Sequence, residues 1–150
     1  MESVDIASAE SLLQFLATLC CAIFAGAAVY ITLVEHPARL DSGPTTAVAE
    51  FIPSYRRAAA MQVPLALIGS LAAIGAWIVS EEVPWLVGAL LLLAVVPYTL
   101  LFIAGTTKRL QDPALDRASP EASDLLRRWG RLHAIRSVLS VAALWIFLLA

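Results

Sequence analysis

The sequence predicts an all-α integral membrane protein, an up-down bundle of four helices, on three observations. First, 60% of its residues are hydrophobic and only 15% are charged, against roughly 45–50% and 25% in soluble domains. Second, the charges are clustered: Glu10 to Glu35 encloses 24 uncharged residues, Arg57 to Glu81 encloses 23, and Glu82 to Lys108 encloses 25. About 20 apolar residues at 1.5 Å each cross the roughly 30 Å hydrocarbon core of a bilayer. Third, a last apolar run of 14 residues follows Arg136. It spans only if its helix begins near Arg131, which carries His133 and Arg136 to or below the membrane surface. The 150 residues fit one domain with no room for a separate catalytic module. The expected helices cover 10–36, 56–80, 83–107 and 120–149.

Ahead of the first helix stand Glu2, Asp5 and Glu10, where a secretory signal needs basic residues; residues 11–34 therefore read as a retained span. The adjacent Cys20 and Cys21 are too constrained for an ordinary disulfide and too few for a Cys-rich metal site, so they read as small packing residues. Ala22, Ala25, Gly26 and Ala28 on the first span, and Ala66, Gly69, Ser70, Ala73 and Gly75 on the second, form small-residue faces that let backbones approach closely. The same faces suit association into a homo-oligomer. Pro64 and Pro97 each remove a backbone hydrogen bond within a span. The tight turn Ser80 to Pro84 makes the second and third helices antiparallel neighbours. Pro37, Gly43, Pro44 and Pro53 read as breakers around a short surface helix at 45–52, and Ser119 followed by Pro120 reads as a helix cap and first helical residue. Trp77, Trp85 and Trp145 read as anchors in an interfacial belt.

All ten Lys and Arg residues fall in the segments 35–57 and 106–136. The positive-inside rule makes that side cytoplasmic and both termini non-cytoplasmic, in the cell (inner) membrane. Arg56, Arg57, Arg127, Arg128 and Arg131 fit topology and headgroup roles there.

Four helix ends meet at this basic face. Thr32, Glu35, His36 and Arg39 share a stripe of the first helix, Tyr55 and Gln62 one of the second, and Trp129, His133, Arg136 and Ser140 recur at four, three and four on the last. Tyr98, Phe102, Thr106 and Thr107 lie at the same level of the third. The expected result is an apolar-walled pocket holding a carboxylate, two imidazoles, an amide and guanidinium groups. Intramembrane ionisable groups are functional candidates by default. Glu35 is the expected partner of Arg136, and Arg136 the group that stabilises a developing anion. His133 is the expected general base, with Glu35 orienting its imidazole. His36, Arg57, Gln62, Tyr98, Thr107 and Trp129 complete the expected substrate contacts, Gln62 and Tyr98 reading equally well as hydrogen-bond links between helices. Glu35, His36 and His133 could alternatively ligate a metal ion, since carboxylate plus imidazole suits zinc, iron or copper; no HExxH or Cys-rich spacing fixes such a site. There is no Gly-rich phosphate loop, no dinucleotide fingerprint, no GxSxG elbow and no basic soluble face for nucleic acid.

The segments GAAVYITLVEHPAR (26–39), YRRAAAMQ (55–62), VVPYTLLFI (95–103), TKRL (107–110) and RWGRLHAIRSVLS (128–140) together resemble the DUF1772, or anthrone oxygenase-like, family of small four-helix membrane proteins. The resemblance implies oxidation of an anthrone to an anthraquinone by molecular oxygen without flavin or haem. It carries over to Glu35 and His36, Arg57, Trp129 and His133, and Arg136. Where relatives often have a Pro-Thr-Asn-like element, this chain has Gly105, Thr106, Thr107 and Lys108. Two function classes follow: a membrane oxidase or monooxygenase of a small hydrophobic aromatic, and a non-enzymatic membrane binding, accessory or small transport subunit whose charges pair with the lipid bilayer or a partner.

Overall fold

The computed structural model describes residues 2–150, with side chains from Ala7 onward; the side chains of Glu2 and Asp5 lie outside the described residues. Four helices are long and apolar enough to cross a membrane: Ala7–Asp41, Pro44–Ser80, Val83–Leu110 and Pro120–Leu149. No strand occurs among the described residues. The protein is an all-α, multi-pass membrane bundle. Each span packs on the next and the fourth closes onto the first, while diagonal pairs barely touch.

Lipid is as apolar as a Leu side chain, so these helices gain little from hydrophobic exclusion and depend on close van der Waals packing. The core away from the basic end is accordingly built on small residues, with Ala17, Ala28, Ala73, Ala76 and Ala89 fully buried. A Cβ added at Gly69 would lie 3.0 Å from the Cβ of Cys20 and 3.1 Å from Leu92. Cys21 donates its thiol to the Ser140 carbonyl at 3.5 Å, and both cysteines are free, buried packing residues. Gly26 departs from the expected small-residue face: it is exposed, with nothing near the position of a Cβ. Trp85 is a second correction. It is buried, stacks on Phe147 at 5.3 Å between centroids, and donates its indole N–H to Glu82 at 3.2 Å. Trp85 is thus a core residue, whereas Trp145 is exposed.

The basic end differs most from the sequence expectation. The first helix does not stop near residue 36 but runs through Pro37 to Asp41, and the second starts at Pro44 rather than 56. Residues 45–52 are the opening turns of a 37-residue helix, not a separate surface helix. Pro37 is accommodated because the preceding turn, Ile31–Glu35, widens to π geometry, with the His36 N–H bonded to the Ile31 carbonyl five residues back. Pro53 and Pro64 sit on exposed faces of the second helix and do not break it. A matching π turn, Thr99–Ile103, follows Pro97, and the third helix then continues to Leu110 rather than ending at 107. Ser119 accepts the Ala122 N–H at 3.2 Å and Pro120 opens the fourth helix. In the connecting segment the Ala114 N–H, and then the Arg109 guanidinium at 2.7 Å, hold the Asp112 carboxyl below its ordinary range.

Only Ser42 and Gly43 separate the first two spans, and Gly43 adopts φ 82 and ψ 154, a combination open essentially to glycine. Gly43→Ala should cost about 1–3 kcal/mol, read as a lower thermal unfolding midpoint in detergent; an unchanged midpoint would show that the turn tolerates a Cβ.

Candidate functional site

A cavity of about 140 Å³ lies inside the basic half of the bundle. Buried apolar clusters flank it along the bundle axis. One is centred on Phe24, Ala66 and Leu92, and the other on Phe51, Leu110 and Leu126 towards the basic end. Its walls carry Glu35, Arg39, Gln62, Trp129, His133 and Arg136 among apolar side chains.

Two buried arginines face this region and differ in their partners. Arg39 is 6% exposed and forms ion pairs with both Glu35 and Glu50, and its guanidinium also reaches Ser54 Oγ at 3.2 Å. Ser54 donates its hydroxyl to Glu35 at 2.6 Å. Arg136 is 8% exposed. Its Nη2 donates to Gln62 Oε1 at 2.8 Å and its guanidinium lies 5.5 Å from the Phe24 ring centroid. Among the described residues it has no carboxylate partner, so the expected Glu35–Arg136 pair does not form. The physical reason is reach. Arg39 lies one turn beyond Glu35 on the same helix, and the longer second helix adds Glu50 and Ser54.

His133 is 1% exposed and is oriented by hydroxyls rather than by Glu35. Its Nδ1 lies 3.1 Å from Thr32 Oγ1, Thr32 Oγ1 lies 2.8 Å from Ser137 Oγ, and Ser137 donates to the Ala28 carbonyl at 2.9 Å. Each hydroxyl has one proton. Ser137 uses its proton on Ala28, so Thr32 donates to Ser137 and must accept from His133 Nδ1–H. In the neutral ring this leaves Nε2 unprotonated, and no described residue bonds to it. Trp129 stacks on the imidazole at 4.7 Å between centroids.

The remaining expected residues separate. Gln62 and Trp129 line the cavity, and each carries a buried nitrogen without a partner, Nε2 and Nε1; so does Arg136 at Nε. His36 is buried behind the Trp129 ring, 5.3 Å between centroids, with its Nδ1 3.4 Å from Arg39. It does not line the cavity. Its close approach requires Gly130, where a Cβ would collide with the imidazole. Tyr98 instead donates to the Leu132 carbonyl at 3.2 Å, tying the third span to the fourth. Thr107 is buried away from the cavity, and Arg57 is exposed on an outer groove between the first two spans. Glu35 and His36 both meet Arg39 whereas His133 meets Thr32, and no three His, Cys, Asp or Glu side chains among the described residues group as metal ligands would.

Sequence reasoning missed Arg39, Glu50 and Ser54 as one cluster, and Thr32 and Ser137 as the support of His133. The available signal was Phe51, Tyr55, Ala58 and Gln62, at intervals of four, three and four, which continue one face back through Pro53. Removing both carboxylates that neutralise Arg39, in Glu35→Gln with Glu50→Gln, should destabilise the protein by about 3 kcal/mol or more, as expected for a buried charge left unpaired. Thermal unfolding in detergent checks this, and an unshifted midpoint would assign the cluster no structural role.

With this geometry in hand, comparison with known proteins finds one family. The model of the anthrone oxygenase family matches residues 51–146, which takes in most of the last three spans, with Gln62, Trp129, His133 and Arg136. No curated protein and no solved structure matches the chain. The match extends over more than half of the sequence, and the chain belongs to the anthrone oxygenase family.

Proposed function

We propose that the protein is a membrane-embedded oxygenase that converts the acidic CH2 of a hydrophobic aromatic ketone of the anthrone type to a carbonyl, using molecular oxygen. The observation that carries this reading is the un-neutralised Arg136 guanidinium in an apolar cavity, beside a histidine whose Nε2 is its basic nitrogen. Such a site suits a substrate that enters neutral and becomes an anion by losing a proton.

The steps follow from that arrangement. His133 Nε2 takes a proton from the CH2. The negative charge delocalises onto the ketone oxygen as an enolate, which the N–H groups of Arg136 and Gln62 are suited to receive. The electron-rich carbon then reduces and couples to O2, and the resulting peroxide takes its proton from the His133 imidazolium. Loss of water from the hydroperoxide leaves a second carbonyl. One CH2 and one O2 thus give one C=O and one H2O, with His133 returned to its starting state. No step draws on a metal ion or organic cofactor. In the same reading the basic end faces the cytoplasm and both termini lie outside the inner membrane; protease added to spheroplasts should remove a C-terminal tag.

Oxygen consumption by purified protein given a simple anthrone, above the spontaneous rate, tests the reaction. His133→Ala should lower turnover by about 10²–10⁴-fold and Arg136→Met by about 10²–10³-fold, both with the bundle still folded. Thr32→Val should lower kcat while leaving KM near its original value, and Thr32→Ser should restore it. Turnover unchanged in His133→Ala rejects the base.

A further inference from the structure

We propose that the cavity is loaded sideways from the bilayer, through a gap between the second and third spans flanked by Val63 and Leu100, and that it seats one aromatic ring of a membrane-dissolved substrate. The route rests on geometry alone; only the ketone chemistry of the occupant rests on the function proposed above.

Access along the bundle axis is closed. Towards the basic end Phe51, Leu110 and Leu126 are each 1% exposed or less, and they belong to a continuous buried cluster. Towards the opposite end Phe24 and Leu92 are buried to the same degree. The sides are not equivalent. The second span packs along Val83–Tyr98 but makes almost no contact with the Thr99–Leu110 continuation of the third, which leans instead on the fourth span. The two helices therefore part at the level of the π turn. At that level the cavity wall includes Val63, 46% exposed, and Leu100, 67% exposed. No other helix covers them.

Depth identifies what such an opening meets. Val63 is six residues beyond Arg57 and Leu100 is eight before Lys108. At 1.5 Å per residue both lie roughly 9–12 Å inside the charged boundary, among acyl chains rather than headgroups. A solute reaching this gap is one that dissolves in hydrocarbon.

Size and polarity then describe it. The cavity's 140 Å³ is close to the roughly 150 Å³ known to hold a single benzene ring in an apolar protein cavity. A fused-ring molecule thus fits only in part, with the ring that carries its polar atoms inside and the remainder reaching into the gap. The unpartnered donors on Gln62, Trp129 and Arg136 call for an oxygen acceptor on the enclosed ring system, since a buried donor left unmade is costly.

A membrane-partitioning phenyl diazirine, photolysed with the protein in liposomes and mapped by mass spectrometry, tests the route without reference to any reaction. The wild type should carry label on cavity residues such as Trp129 or Phe24, neither of which lines the outer groove. Val63→Phe with Leu100→Phe should lower that internal labelling by at least about 10-fold, while Met61→Phe, in the groove between the first two spans, leaves it unchanged. Absence of internal label in the wild type, persistence of it in the double variant, or loss of it in Met61→Phe overturns the route. The expected labelling pattern without any anthrone oxidation supports the route and counts against the proposed reaction alone.

Discussion

A guanidinium buried in a membrane span without a carboxylate constrains the groups around it. Placing Arg at the centre of a spanning helix costs about 2.5–3.5 kcal/mol on insertion scales, and a cation over an aromatic face offsets roughly 0.5–2 kcal/mol. Arg136 has one such ring, Phe24, and one amide oxygen, from Gln62. Those two contacts leave its positive charge in place. Arg39, by contrast, is held by Glu35, Glu50 and Ser54. Two arginines at one end of one bundle thus differ: one is paired with carboxylates and locks the first two spans together, and the other has no carboxylate partner among the described residues.

The widened turn in the first helix makes that division workable. Thr32 and Glu35 both fall within Ile31–Glu35, yet they serve different neighbours. Thr32 joins the hydroxyl chain to His133 and Ser137 on the fourth span, while Glu35 meets Arg39 and Ser54. Pro37 accounts for the widening, since its ring cannot accept a normal turn before it. The third helix repeats the device after Pro97, and there the widened turn coincides with the level at which the second and third spans part. In both helices a widened turn close to a proline, before Pro37 in the first and after Pro97 in the third, opens the ladder beside the cavity without ending the helix, as π turns at functional sites commonly do.

How much of this was readable in the sequence depends on the kind of force involved. The four spans followed from charge spacing, because burying charge in hydrocarbon is a one-body cost that each segment reveals by itself. The convergence of Gln62, Trp129, His133 and Arg136 followed from helical periodicity and up-down topology. Pairing did not follow. Whether Glu35 meets Arg136 or Arg39 depends on side-chain reach and on Glu50, which entered the site only because the second helix begins at Pro44. Pro53 misled for a similar reason: on an exposed face of a long apolar helix the loss of one hydrogen bond is tolerated. Trp85 was misplaced because its fit against Phe147 is made by Gly88, where a Cβ would collide with that ring, a contact between spans that single-helix patterns do not encode.

In the proposed reaction the desolvation that makes this site costly would also make it effective. With the proposed opening towards hydrocarbon, a cavity between two apolar clusters would keep water away from Arg136 and His133, and each electrostatic interaction there would be stronger than at an aqueous surface. In the proposed reaction the fixed Thr32–Ser137–Ala28 chain would hold the His133 proton on Nδ1, away from the reacting carbon. An enolate formed beside Arg136 would supply the counter-charge that the resting protein lacks. The stability sacrificed by burying an unpaired cation then returns as preferential binding of the anion over its neutral parent, which is the difference a proton-abstracting site must create.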